Sequence, residues 1–272
     1  MGRTVLVTGA NSGLGLATVL ELARLGFRSV GSVRSEQKAE LVHRAAAAAD
    51  RAVETVLLDV NDEEACAEVV GRLGPLHGLV NNAGYSVTGA VEDVADHEAR
   101  AVLETMVIAP MRLARLALPG MREAGDGCII NVSSIYGRTS TPFTGWYQAA
   151  KHALEGVTDA LRMEVAGFGV RVSLVEPGGF RTAIFDEVSG DVSRREGSPY
   201  QAGYQRSLDL LRLATPFLGN PDQVARLVGR ILRDPHPRAR YLVGIDAQAA
   251  ALAGATTPTF VRDLITRKVL GL

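Results

Sequence analysis

A tyrosine and a lysine four residues apart, Tyr147 and Lys151, lie in a stretch of helical apolar spacing, so their side chains share one face. That pairing has chemical meaning. A free phenol has a pKa near 10 and gives up its proton poorly at neutral pH, whereas an ammonium group a few ångströms away favours the phenolate. A shift of about two to three units corresponds to about 3 to 4 kcal/mol and moves the hydroxyl toward the range where a general acid or base works. Thirteen residues upstream, Ser134 ends an apolar run, where its hydroxyl can hold a reacting oxygen by a hydrogen bond. The three side chains together suit proton transfer to or from a carbonyl or alcohol oxygen. A buried tyrosine beside a surface lysine has the same spacing and no chemistry.

A second group of residues suits an anion. Thr8-Gly9-Ala10-Asn11-Ser12-Gly13-Leu14-Gly15 directly follows the first apolar run and opens a helical pattern. Glycines there let the backbone turn tightly and approach a pyrophosphate, whose charge the helix N-terminus favours. Taken alone, the same turn is also an ordinary glycine-rich passage from strand to helix.

These residues need elements to hold them. Continuous apolar runs of strand length recur at Thr4 to Thr8, Arg28 to Val33, Val53 to Leu58, Gly78 to Asn81, Gly127 to Ser133 and Val170 to Glu176. Runs without alternation suit strands buried on both faces. Helical spacing separates them, as in Ala17, Leu20 and Leu25 before Gly26, or Leu154, Val157, Leu161 and Val165 before Gly167. Strand and helix alternating in this way predict a doubly wound α/β fold: a parallel sheet with right-handed crossovers and helices on both faces. In such a sheet the ligand crevice lies at the carboxyl ends of the strands, so Ser134, Tyr147 and Lys151 can converge there. No linker interrupts the pattern, and a single domain over residues 1–272 is expected. From Gly178 to Pro221 the rhythm breaks into Gly, Pro, Ser and charge, with a short helical pattern around Leu208 to Leu213; residues 184–217 read as a lid. Val224, Leu227, Val228, Ile231 and Leu232 then share a helical face, before a last strand near Tyr241 to Val243.

Composition narrows the partners. The 272 residues are 47% hydrophobic and 22% charged, with a formal net charge of −1, which argues for a globular protein and against nucleic acid as the primary partner. Cys66 and Cys128 sit in no paired or metal-like spacing, so both are expected reduced and buried, and no metal is expected. No apolar run is long enough to cross a bilayer, and the strand pattern begins at Arg3; no membrane contact and a cytoplasmic address are expected.

Five motifs now stand in order: Thr8-Gly9-x-x-x-Gly13-x-Gly15, Asn81-Asn82-Ala83-Gly84, Ser134, Tyr147-x-x-x-Lys151 and Pro177-Gly178. The chain up to Thr182 resembles the short-chain dehydrogenase/reductase family. That resemblance implies a Rossmann-type fold and hydride transfer between a nicotinamide cofactor and a carbonyl or secondary alcohol. By the same resemblance Ser134, Tyr147 and Lys151 are catalytic, Lys151 also holding the nicotinamide ribose. Gly9, Asn11, Ser12, Gly13, Leu14, Gly15, Asp59, Val60, Asn82, Ala83 and Gly84 line the cofactor, and Pro177, Gly178 and Thr182 contact its carboxamide. A homo-oligomer, dimer or tetramer, is implied as well. In one place the chain departs from the family pattern. Met106 stands where members usually carry an asparagine whose backbone carbonyl holds a water linking the lysine to solvent; every residue except proline offers the same backbone groups.

Cofactor choice is read after the second strand, where a carboxylate bonds the ribose of NAD and a basic side chain accommodates the phosphate of NADP. Val33 occupies the expected acidic position and Arg34 follows, which favours NADP(H). A surface arginine at a strand end is the plain alternative. The substrate is less determined. Phe185, Tyr200, Tyr204 and Phe217 in the lid either line a pocket for a bulky apolar ketone or alcohol or only pack the lid, and the Pro-Gly-Gly-Phe-Arg-Thr and Arg-Tyr-Leu-Val-Gly segments resemble the hydroxysteroid and retinol dehydrogenase branch. The amphipathic tail with Phe260, Val261, Leu264, Ile265, Arg262, Arg267 and Lys268 is expected to pack on the body or on another subunit. Two other classes share these motifs: an enzyme of the same fold with a non-redox net reaction, such as a dehydratase or epimerase, and a non-catalytic NADPH-binding regulator.

Overall fold

The computed structural model describes residues 2–181 and 184–272. Seven strands form one parallel sheet in the order β3-β2-β1-β4-β5-β6-β7: β1 Thr4–Val7, β2 Arg28–Val33, β3 Glu54–Leu57, β4 Gly78–Asn81, β5 Gly127–Val132, β6 Val170–Pro177 and β7 Arg240–Val243. Six of these were expected from unbroken apolar runs, and the seventh from the short run near Tyr241. Their ends shift by a residue or so.

Both faces of the sheet are covered, as the lack of alternation demands. Leu6, Leu79 and Ile129 point to one side, where they meet Val69 and Val70 of α3 (Glu63–Leu73), Leu113 and Ala117 of α5 (Ala109–Ala124) and Leu161 of α6 (Gly145–Val165). Val5, Val7, Val80 and Ile130 point to the other, against Val19 and Leu22 of α1 (Gly13–Arg24), Val42 of α2 (Glu36–Ala48) and Val228 and Ile231 of α9 (Asp222–Arg233). Cys66 and Cys128 are free and buried in these two layers, and burial pushes the Cys128 thiol up to about 12.

Helix faces turn out less legible than strands. α1 buries Gly15, Thr18, Val19 and Leu22, a stripe offset from the expected Ala17, Leu20 and Leu25. Small and hydroxyl-bearing residues face the sheet there because the backbone approaches it closely. α6 buries Lys151, Glu155 and Thr158 in the same stripe as Leu154, Leu161 and Val165, while Val157 is only half-buried.

The excursion after β6 is mostly helical, with α7 (Ile184–Arg194) and α8 (Gln201–Ala214) where a single short helix was expected. α8 is pinned by Tyr204, which is fully buried, stacks edge-on to Phe143 at 4.8 Å, accepts a hydrogen bond from the Ala90 N–H at 2.7 Å and donates to Asp93. Arg195 follows the same path, donating to the Thr88 carbonyl at 2.8 Å, the Asp93 carbonyl at 2.6 Å and Glu98 at 2.9 Å. Tyr200 and Tyr204 therefore pack the excursion onto the body, whereas Phe217 is 86% exposed. The side chain of Phe185 lies outside the described residues. The tail forms α10 (Ile245–Thr256) and α11 (Thr259–Leu270); Leu270 joins the Tyr204 cluster, and Phe260, Leu264 and Ile265 stay exposed. Among the described residues no helix is long and apolar enough to cross a membrane.

Replacing Tyr204 by Phe removes the acceptor of the Ala90 N–H and leaves that group buried without a partner. The expected cost is about 1 to 3 kcal/mol. Urea unfolding measures it, and hydrogen exchange of α7 and α8 should accelerate well before that of the sheet.

Candidate active site

The sheet changes direction between β1 and β4, and the crevice opens there. Thr8, one residue past β1, bridges the two strands: its Oγ1 accepts the N–H groups of Asn82 and Ala83, both at 2.9 Å. The Asn82 amide answers by donating to the Thr8 carbonyl at 2.9 Å and the Gly9 carbonyl at 3.2 Å. Gly9 (φ 68°) and Gly13 (φ 52°) take the left-handed backbone that the turn requires. A Cβ on Gly15 would overlap the Gly9 carbonyl oxygen and lie 2.6 Å from Asn82 Nδ2. Ser12 precedes the first residue of α1 without capping it by its side chain, Asn11 donating to Ser12 Oγ at 3.4 Å. Leu14 completes the first turn. The result is a close backbone cradle under a helix N-terminus, and it fits a dinucleotide pyrophosphate.

The other residues named from the sequence border the same edge. Val33 is buried at the end of β2, and Arg34 is exposed and makes no ion pair among the described residues. Asp59 is exposed and accepts the Asn61 N–H at 3.0 Å, while the Val60 carbonyl accepts from Arg112 at 2.9 Å. Gly84 lies against Met106, whose sulfur would be 3.1 Å from a Cβ there. At the end of β6, the Gly178 N–H donates to the Val243 carbonyl at 2.9 Å. Thr182 lies outside the described residues.

Ser134, Tyr147 and Lys151 converge. Ser134 is buried at the start of a 3-10 turn, Ile135–Gly137, and its Oγ accepts the Tyr136 N–H at 3.2 Å. The Tyr136 ring meets the Tyr147 ring edge-on at 6.2 Å, which sets the serine turn beside the first turns of α6. Lys151 Nζ lies 5.7 Å from the Tyr147 ring centroid and donates to the Val132 carbonyl at 2.9 Å. The lysine is only 5% exposed, so it is not the surface residue of the plain reading. Burial brings its pKa down from the usual 10.5 to about 8, and the negative charge of Glu155 opposes that fall.

Three features escaped the sequence. Asp246, in the first turn of α10, takes the Gly179 N–H at 2.5 Å and fills the space where a Cβ on Gly178 would stand. Glu155, one turn along α6 from Lys151, and Glu176 are buried and tied to Arg138 and Arg240. Finally, the helix before β5 is interrupted at the position of Met106. Between α4 (Asp96–Leu103) and α5 the chain makes a π turn, Glu104–Ile108, with Met106 inside it. Pro110 has no N–H to offer the carbonyl four residues back, so the Met106 carbonyl loses its α-helical donor whatever its side chain.

These are the parts of an oxidoreductase, and comparison with known proteins agrees. The short chain dehydrogenase family model matches residues 3–193. The chain is 33% identical to the uncharacterized oxidoreductase YusZ of Bacillus subtilis, covering 98% of each, and 32% identical to retinol dehydrogenase 7 of Rattus norvegicus, covering 97% of this chain and 87% of that one. Among solved structures, a single-residue variant of actinorhodin polyketide ketoreductase with NADPH superposes with a TM-score of 0.76 at 28% identity, over 92% of this chain and 97% of that chain. The chain belongs to the short-chain dehydrogenase/reductase family.

Met106 is 1% exposed and packs with Val102, Ala150, Trp146 and Tyr147. Met106→Leu should therefore cost less than about 1.5 kcal/mol. Met106→Asn places an amide in the same apolar contact and should cost about 1 to 3 kcal/mol. Thermal unfolding of the two variants checks the order, and both should keep turnover, since the π turn is made by the backbone.

Proposed function

We propose that this protein is an NADPH-preferring reductase or dehydrogenase of ketones and secondary alcohols, with Tyr147 as the proton donor and acceptor. The convergence of Ser134, Tyr147 and a buried Lys151 beside the glycine cradle is the observation that carries this reading. A nicotinamide dinucleotide, when bound, supplies or takes the hydride.

The chain's own residues do the rest. Gly9, Asn11, Ser12, Gly13, Leu14 and Gly15 hold the pyrophosphate through backbone N–H groups. Asp59 would contact the adenine, Val60, Asn82, Ala83 and Gly84 would line the cofactor, and Pro177, Gly178 and Thr182 would hold the carboxamide. Arg34, exposed and without an ion pair among the described residues, accommodates the 2′-phosphate, with no carboxylate at Val33 to repel it. In reduction the Tyr147 hydroxyl gives its proton to the carbonyl oxygen, which the Ser134 hydroxyl holds by a hydrogen bond; oxidation reverses both steps. The Lys151 ammonium favours the phenolate and holds the nicotinamide ribose.

A cleft of about 310 Å³ between α7 and the loop after β4 is lined by Tyr85, Ser86, Val87, Glu98, Gly190, Asp191 and Arg194. Tyr85 packs in the same cluster as Tyr147. The cleft's charges are paired, Asp191 with Arg194 and Glu98 with Arg195, leaving no lone charge for a substrate. The likeness to retinol dehydrogenase 7 supports a bulky, largely apolar substrate under a lid formed by residues 184–217.

NADPH should bind more tightly than NADH, and Arg34→Ala should weaken NADPH by about 1.5 to 3 kcal/mol while leaving NADH nearly unchanged. Titrations of both cofactors decide this, and equal affinities in the unmutated protein overturn the preference.

Tyr147→Phe should keep NADPH binding and lose turnover by a factor on the order of a hundred to ten thousand. Ser134→Ala should mainly slow turnover, and Lys151→Ala should lower affinity and turnover together. Because these residues act as a unit, the Tyr147 and Lys151 double change should cost less than the sum of its parts. Rates with a panel of ketones at saturating NADPH test the assignment. Product formed without net oxidation of NADPH, or binding with no turnover of any substrate, overturns it.

A further inference from the structure

Six ionisable side chains gather beneath the carboxyl ends of β5, β6 and β7. Lys151, Glu155 and Asp159 follow one another at intervals of four along α6; Glu176 ends β6, Arg138 follows the serine turn, and Arg240 begins β7. Arg240 is the tie. Its Nε lies 3.0 Å from Glu155 Oε2 and 3.3 Å from Glu176 Oε1, and its terminal nitrogens hold Asp159 at 3.0 and 2.5 Å. Arg138 Nε closes on the second oxygen of Glu176 at 2.7 Å. Three of these side chains are cations and three are carboxylates, and Arg162 adds a further cation 3.3 Å from Asp159. Of the cations only lysine can release a proton below about pH 12.

We propose that Glu155 is a positioning residue of the reaction: its buried carboxylate keeps the Lys151 ammonium charged inside the protein. Glu155 Oε1 is buried with no hydrogen-bond partner among the described residues, so the carboxylate is not fully engaged by the guanidinium. The Ser133 hydroxyl is in the same condition, and both border Gly137, where a Cβ would stand 3.1 and 2.8 Å from them.

Among the described residues the other charged groups near Lys151 are engaged elsewhere. β5 brings Val132 and no charge, and the turn after it brings Ser133, Ser134 and Tyr136. The π turn and α4 direct their carboxylates elsewhere, Glu104 to Arg112, Glu98 to Arg195 and Asp96 to Arg100. Glu176 is matched by Arg138 and Arg240, and Asp159 by Arg240 and Arg162. His152, also on α6, is exposed and turns its ring to the Gln148 carbonyl. On its own helix that leaves Tyr147, the group the lysine serves, and Glu155. Burial alone drives the ammonium to shed its proton, and Glu155 is the neighbour that opposes this. Without that charge the cluster loses one of its three negative charges, and the proton of Lys151 is the one that can leave.

The inference rests on the proposed role of Lys151, and the experiment separates the two. The chain has three lysines, Lys38, Lys151 and Lys268, so ε-13C-lysine labelling yields three resonances, and Lys151→Arg identifies one of them. In the unmutated protein Lys151 should titrate near 8. Glu155→Gln should lower that midpoint by at least about one unit, tenfold in the proton equilibrium. NADP+ affinity of this variant should fall about fivefold at pH 8 and return to within about threefold of native at pH 6, where the ammonium is restored. Glu155→Asp keeps the charge at a greater distance and should fall between; it carries the test if the glutamine variant does not fold. A midpoint unmoved in either variant overturns the proposal, as does an equal loss of NADP+ affinity at every pH. A moved midpoint in a protein that binds no nicotinamide cofactor supports the role of Glu155 and overturns the proposed activity instead.

Discussion

Where β1 meets β4 the chain leaves the sheet in opposite directions, and the backbone groups freed by that departure must find partners away from bulk water. Thr8 resolves it by accepting two N–H groups from the start of the opposite loop, and Asn82 returns two hydrogen bonds to the carbonyls of Thr8 and Gly9. This lock holds the crevice open. It fixes the Gly9 carbonyl so near Gly15 that no side chain fits there, and so keeps the helix N-terminus within reach of an anion. The cradle is a consequence of how two loops satisfy one another.

The opposite wall of the crevice is built on a different constraint. An ammonium group at 5% exposure cannot be stabilised by solvent, so the protein must compensate it from within. One hydrogen bond to the Val132 carbonyl gives direction without charge. Charge comes from Glu155 of α6, which with the neighbouring Glu176 of β6 needs arginines to remain tolerable in the interior. Arg138 and Arg240 thereby link the serine turn, the sheet edge and α6. A site that looks like three residues depends on at least seven.

Strands were legible because burial on both faces writes itself as an unbroken apolar run; Arg28–Val33 and Gly78–Asn81 appear with the expected limits. Helix α9 was legible for the related reason that its buried face is purely aliphatic. The face of α6 was not, since hydrophobic periodicity passes over a buried stripe containing Lys151, Glu155 and Thr158. Tyr147, Lys151 and Ser134 could be found by spacing, because each is local to a helix or a strand end. The anchoring of Tyr204 could not: its partners, Ala90 and Asp93, are more than a hundred residues away and signal nothing in sequence. Glu155 lies between these cases. Its spacing of four from Lys151 was visible, but that it is buried became apparent only in the packed structure.

Met106 departs from the family pattern in its side chain and keeps the backbone groups of the position. An asparagine side chain and a methionine side chain share no chemistry, yet a role exercised through the backbone carbonyl does not depend on either. What the role does require is a carbonyl released from its helical donor, and Pro110 secures that by having no N–H to give. The π turn accommodates the extra residue in the helix, and its apolar surroundings then select the side chain. Gly84 on one side and Tyr147 on the other leave room for something apolar, and methionine fits an irregular gap well. The identity of residue 106 thus reports on packing, while the proline four residues later reports on the carbonyl.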